Sequence, residues 1–144
     1  MPTYLVVANQ TAASPTLAAM ILERLAKGAA RFYIVVPLTP INHRFTWEER
    51  ESISAAAVRL ETLLGWLREM GAVEASGEVG DSDPVDAVAD ALRGRTVDEI
   101  IVSTLPPGSS RWLKLDVANR IGGILNTRQK QTSFSFAFCR NNFI

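Results

Sequence analysis

The chain has 144 residues, enough for one domain with a real core. It is 47% hydrophobic and 21% charged, with one cysteine and no apolar run near the roughly 18 residues of a membrane span; collagen-like, disordered, disulfide-scaffold and membrane-spanning classes are excluded. Basic and acidic side chains balance at 15 each, which argues against a general nucleic-acid binder.

Tyr4-Leu5-Val6-Val7-Ala8 is apolar at every position and ends at Asn9-Gln10-Thr11, as suits a strand covered on both faces. Ser14-Pro15 reads as an N-cap followed by proline at the first helical position. Leu17, Ile21 and Leu25 then recur every four residues, and Gly28 closes the helix. Phe32-Tyr33-Ile34-Val35-Val36 is a second buried strand, stopped by Pro37 and Pro40, and residues 37–46 form a loop. Thr46 and Glu49 have capping-box spacing. A long helix is expected behind them, with Ile53, Ala56, Ala57, Leu60, Leu63, Leu64 and Leu67 in one stripe and Gly71 at its end.

Val73-Glu74-Ala75-Ser76 is a weaker third strand. Asp83-Pro84 opens a helix with Val85, Val88, Ala89 and Leu92 on one face and Gly94 after it. Residues 99–104 form a fourth strand, residues 105–110 a loop, and a last helix runs from about Leu113 or Asp116 to Leu125. Strands alternating with helices predict an α/β, doubly wound parallel sheet with right-handed crossovers and helices on both faces. The first, second and fourth strands, the most apolar, belong in its centre. Residues 127–132 are polar, and residues 133–138 alternate with period two, the pattern of an edge strand with one apolar face. Phe134, Phe136 and Phe138 would form a surface for self-association. The expected division is one α/β domain over residues 1–126 and a tail over 127–144.

The charge is unevenly spread. Residues 45–99 hold thirteen of the acidic side chains against five basic ones, whereas residues 100–144 hold six basic and one acidic. The basic last third could attract a small anion, and a solvated surface is the plainer reading. The opening MPTYLVVANQ has no basic segment ahead of its apolar run, so the expected location is cytoplasmic.

Catalytic signatures are missing. There is no GxxxxGK[ST] loop, no GxGxxG after the first strand and no GxSxG elbow. With one histidine, His43, and one cysteine, Cys139, no two-histidine metal site can form, cysteine–histidine chemistry is poorly supplied and no base–nucleophile pair is evident. His43 reads as a loop histidine, Cys139 as an inert thiol, and Asp83 as a helix cap rather than half of an acid–base pair with Asp81. Trp47, Trp66 and Trp112 read as packing. No catalytic or metal-binding residue is assigned.

Ligands of doubly wound sheets bind beyond the carboxyl ends of strands where the strand order reverses. The candidate loops are residues 8–14, 37–46, 80–83 and 103–111. In the last, Gly108, Ser109 and Ser110 offer backbone N–H groups and hydroxyls, with Arg111 and Lys114 beside them. Such a loop ahead of a helix can hold a phosphate. Pro106 and Pro107 contribute no N–H, and an ordinary turn is the competing reading.

The segments YLVVANQT, FYIVVP, GEVGDSDPVDAVADAL and DEIIVSTLPPGSSRWLKLDVANRI resemble the universal stress protein family over roughly residues 3–125. The resemblance implies a five-stranded parallel sheet of order 3-2-1-4-5, a cytoplasmic location and a homodimer. In nucleotide-binding members, ATP lies between the ends of the first and fourth strands. Carried onto this chain, the candidate nucleotide or anion site is Ala8, Asn9, Gln10, Val36, Ser103, Thr104, Gly108, Ser109, Ser110 and Arg111. The chain departs from the binding motif G-x2-G-x9-G-[ST]. Pro107 stands where its second glycine is expected, Leu115-Asp116 replaces its final pair, and Asn9 replaces the usual Asp.

The expectation is a non-enzymatic stress-response or regulatory domain with a degenerate nucleotide site and no required cofactor. It would hold a nucleotide or phosphate weakly, form a homodimer and meet an unidentified protein partner, but no nucleic acid and no membrane. Two alternatives stay open: a binding module for AMP, ATP or phosphate, and a nucleotide-hydrolysing enzyme.

Overall fold

The computed structural model describes residues 1–8, 12, 14–38, 46–81, 83–104 and 135–140. In chain order the elements are β1 (Thr3–Val7), α1 (Pro15–Ala26), β2 (Arg31–Pro37), α2 (Thr46–Glu69), β3 (Glu74–Gly80), α3 (Pro84–Ala91), β4 (Glu99–Thr104) and β5 (Ser135–Arg140). The strands form one sheet in the order β3-β2-β1-β4-β5, and every pairing is parallel. The apolar strands β1, β2 and β4 do hold the centre. The last helix expected between residues 113 and 125 lies outside the described residues.

Alternation along the central strands makes two cores. Tyr4, Val6, Ala8, Phe32, Ile34, Val36 and Ile101 pack with Leu17 and Ile21 of α1 and with Leu60, Leu64 and Leu67 of α2. Leu5, Val7, Val35, Ile100 and Val102 pack with Val85, Val88 and Ala91 of α3 and with Leu92 behind it. Each fully buried Leu, Ile or Phe contributes roughly 1.5–3 kcal/mol of transfer free energy. Ser14 and Asp83 cap their helices as their sequences predict. Ser14 Oγ accepts from the N–H of Thr16 at 3.1 Å, and Asp83 Oδ1 from that of Val85 at 2.8 Å.

Two expectations need correction. Ile53 lies on the sheet-facing side of α2, yet it is 48% exposed. The 24 residues of α2 make a helix of about 36 Å. The seven-residue strands β2 and β3 beneath it span only about 23 Å. The α2 residues in the core run from Ala56 to Leu67, and Ile53 lies about one turn ahead of them.

The third strand is also displaced. Val73 precedes it and is exposed, and the strand runs on to Gly80. Its glycines blur the strand signal but are needed for close approach. A Cβ on Gly77 would collide with the Ile34 carbonyl oxygen and stand 2.8 Å from Leu60 Cδ1, and one on Gly80 would stand 2.8 Å from Ala87 Cβ.

At the other edge, β5 pairs with β4 from Glu99↔Ser135 to Thr104↔Arg140, two residues later than the alternating stretch suggests. Cys139 is buried in the α1/α2 core, with Ala137 packed against it. The apolar face expected of Phe134, Phe136 and Phe138 lies outside the described residues and side chains.

A charged tie joins α1 to the start of β4. Arg24 Nε donates to Glu99 Oε1 at 2.6 Å and Arg24 Nη1 to the Met20 carbonyl at 3.1 Å, with both side chains largely covered. Replacing the guanidinium takes the nearest positive charge away from a carboxylate in a partly dehydrated place. Arg24→Met is expected to cost about 1–3 kcal/mol and to lower the melting temperature by about 3–10 °C. Thermal denaturation by circular dichroism checks this, and an unchanged midpoint would make the tie ornamental.

Candidate functional site

The sheet reverses direction between β1 and β4. The chain builds outward from β1 through β2 to β3, then returns to place β4 on the other side of β1. The crevice beyond the carboxyl ends of β1 and β4 is therefore the switch point of the fold.

Val7 stands level with Val35 and Val102. One step further, the Ala8 N–H donates to the Val35 carbonyl at 3.1 Å, which continues the parallel ladder past the end of β1. Ala8, Val36 and Ser103 thus form the next row across three adjacent strands. All three are buried, at 0%, 0% and 1% exposure. Thr104 ends β4, opposite Arg140. The structure brings these four predicted residues to one edge. Asn9, Gln10, Gly108, Ser109, Ser110 and Arg111 lie outside the described residues, as do His43 and Asp116.

Ser103 faces Cys139 across the β4–β5 pairing. Burial pushes the Cys139 thiol up from its ordinary pKa, against smaller opposing effects of a hydrogen bond from Ser103 and the charge of Arg24. A thiol held neutral in a core is a poor nucleophile. The Ser103 hydroxyl is engaged there and the side chains of Ala8 and Val36 belong to the core, so the row marks the strand ends without presenting an acid or base.

Asp81 and Asp83 serve the backbone. Asp81 Oδ1 accepts from the Asp83 N–H at 2.9 Å, and Asp83 caps α3. Among the described residues there is no cluster of three or more potential metal ligands, and no helix is long and apolar enough to cross a membrane. Sequence reasoning missed the Ser103–Cys139 contact and the Arg24–Glu99 tie. Both join residues far apart in the chain, and no local pattern marks either partner.

No family model matches the sequence, and no curated protein matches it. Solved structures do. A universal stress protein family structure from Burkholderia pseudomallei matches with a TM-score of 0.57 at 16% identity, covering 94% of this chain and 93% of that one. One from Arabidopsis thaliana, with AMP bound, matches with a TM-score of 0.54 at 13% identity, covering 99% and 93%. A universal stress protein in complex with cAMP matches with a TM-score of 0.54 at 12% identity, covering 98% of both chains. At such identities the likeness is one of architecture, and the chain has the universal stress protein fold.

Proposed function

We propose that this protein is a non-enzymatic stress-response or regulatory domain that takes a small adenine nucleotide or phosphate weakly at the β1/β4 switch point. The observation that carries this is the row of Ala8, Val36 and Ser103 at that point, in a fold whose solved examples include one with AMP and one with cAMP bound. The strand ends at Ala8 and Val36 would border the base from beneath the surface, Asn9 and Gln10 would meet the ribose or base, and Ser103 and Thr104 would lead into the cradle of Gly108, Ser109, Ser110 and Arg111. The domain would act in the cytoplasm as a homodimer, signalling its ligand state to a protein partner. Hydrolysis is the weaker reading, because the row holds no activated base or nucleophile.

Pro106 and Pro107 remove amide donors from the phosphate loop, and Asp116 sets a negative charge near it. Arg111 and Lys114 offset little of this if solvated. Mg-ATP is expected to bind no tighter than roughly high micromolar, about 5–6 kcal/mol. Calorimetry at moderate salt, beside a thermal-shift series with AMP, cAMP, ATP and phosphate, reads this directly. A low-micromolar Mg-ATP constant would restore ordinary ATP binding. Mg-dependent turnover would favour the enzyme, and no shift with any of the four would remove the ligand.

A further inference from the structure

Charge is unevenly placed along the carboxyl edge of the sheet. β3 ends there at Gly80, and Asp81 and Asp83 follow it. α2 begins at the same edge and packs on β2 and β3, and its opening residues set Glu48, Glu49 and Glu51 against Arg50. Acidic residues therefore outnumber basic ones on the β2/β3 side. α1 also starts at this edge, with Ser14, Pro15 and Thr16, and brings no charge. At the far side β5 ends on Arg140, level with Thr104 at the end of β4. Among the described residues, Arg140 is the one charged residue at the carboxyl ends of β1, β4 and β5. The direction of β5 decides this. Because β5 runs parallel to β4, its last residue reaches the carboxyl edge and its first, Ser135, lies beside Glu99 at the opposite one.

Distance sorts these charges. Neighbouring strands stand about 4.8 Å apart, so Arg140 is one strand away from Thr104, whereas the end of β3 is three strands away, about 14 Å. Exposed charges are screened over about 8 Å at physiological salt. An anion at the end of β4 therefore feels Arg140 and little of the acidic side. We propose that Arg140 is the counter-charge for the phosphate of the ligand, and that it makes the site prefer a phosphomonoester such as AMP to the uncharged nucleoside. This rests on the nucleotide reading of the β1/β4 switch point, and adds to it a residue and a preference. A guanidinium is always charged and can meet two phosphate oxygens at once. No local motif marks Arg140 for this role, since it comes level with Thr104 only through the pairing of β4 with β5.

Titration of the full chain with AMP and with adenosine, followed by nuclear magnetic resonance, tests this. The wild-type chain should bind AMP at least about 5-fold tighter than adenosine. Arg140→Gln should weaken AMP about 5- to 30-fold and leave adenosine within about 2-fold. Arg140→Lys keeps the charge but loses the planar fork, and should weaken AMP about 2- to 5-fold without touching adenosine. That variant decides the matter if Arg140→Gln does not fold, which circular dichroism reports. Arg93→Gln removes the same charge from an exposed position behind α3 and should change neither ligand. An AMP affinity that Arg140→Gln and Arg140→Lys leave unchanged overturns the proposal. So does equal weakening of AMP and adenosine, which would assign Arg140 to the fold rather than to the phosphate. A wild-type chain that binds neither compound removes the nucleotide reading itself, and the counter-charge with it.

Discussion

Removal of residues 127–144 is expected to abolish cooperative unfolding, or to lower stability by about 5 kcal/mol or more, the scale of a whole domain's net stability. That deletion takes away all of β5. β4 would lose its pairing partner from Glu99 to Thr104, and the α1/α2 core would lose Cys139 together with the packing of Ala137. Ser103, buried at 1% exposure, would face water in place of the Cys139 thiol. Thermal melting followed by circular dichroism, with dye binding to detect exposed apolar surface, measures the loss. A truncated chain that melts within about 2 °C of the full one would make β5 dispensable. The same deletion is therefore a poor probe of self-association, since any change in oligomeric state would be confounded with loss of the fold.

Gly77→Val is expected to destabilise the protein by about 3 kcal/mol or more, shifting the melting midpoint down by about 6–12 °C. Its side chain would be driven into the Ile34 carbonyl and Leu60, which lie on two different elements, so no single movement relieves both. Gly65→Ala is the matching control. A Cβ there meets nothing within 4 Å, and Gly65 lies inside α2, so alanine should stabilise by roughly 0.5–1 kcal/mol. Denaturant titration of the two variants separates steric contact from backbone entropy. Equal shifts of one sign would contradict the close approach at Gly77.

Where local chemistry decided the structure, the sequence was readable. Ser14 and Asp83 cap the helices that their following prolines announce, and unbroken apolar runs placed β1, β2 and β4 in the middle of the sheet. The strand order followed from the resemblance rather than from pattern. Readability failed where one element's geometry depends on another. Glycines at 77 and 80 weakened the strand reading because their small size matters only once α2 and α3 are in place. Ile53 fits the stripe of α2 but lies about a turn ahead of its first core residue, Ala56, and is exposed. Of the candidate site, the row of Ala8, Val36 and Ser103 was legible because strand ends are local features. The covering of Ser103 by Cys139 was not, because it depends on β5 arriving from the far end of the chain.

The central place of β1 also bears on how the protein is made. Residues 3–7 leave the ribosome well before residues 99–104, and β2 can cover one edge of them soon afterwards. The other edge waits for β4. The reciprocal bonds between Thr3 and Asp98 join residues 95 apart in the chain. At ordinary rates of synthesis, of about 5–20 residues per second, that edge stays bare for about 5–20 s. For most of that interval, until residues 84–91 are made, Leu5 and Val7 also lack the α3 layer that finally covers them. Such pairing across long chain separations is slow to form even after release. β1, made well ahead of β4, is thus completed late, and a nascent chain must be kept from pairing that edge with a neighbour until residues 99–104 arrive.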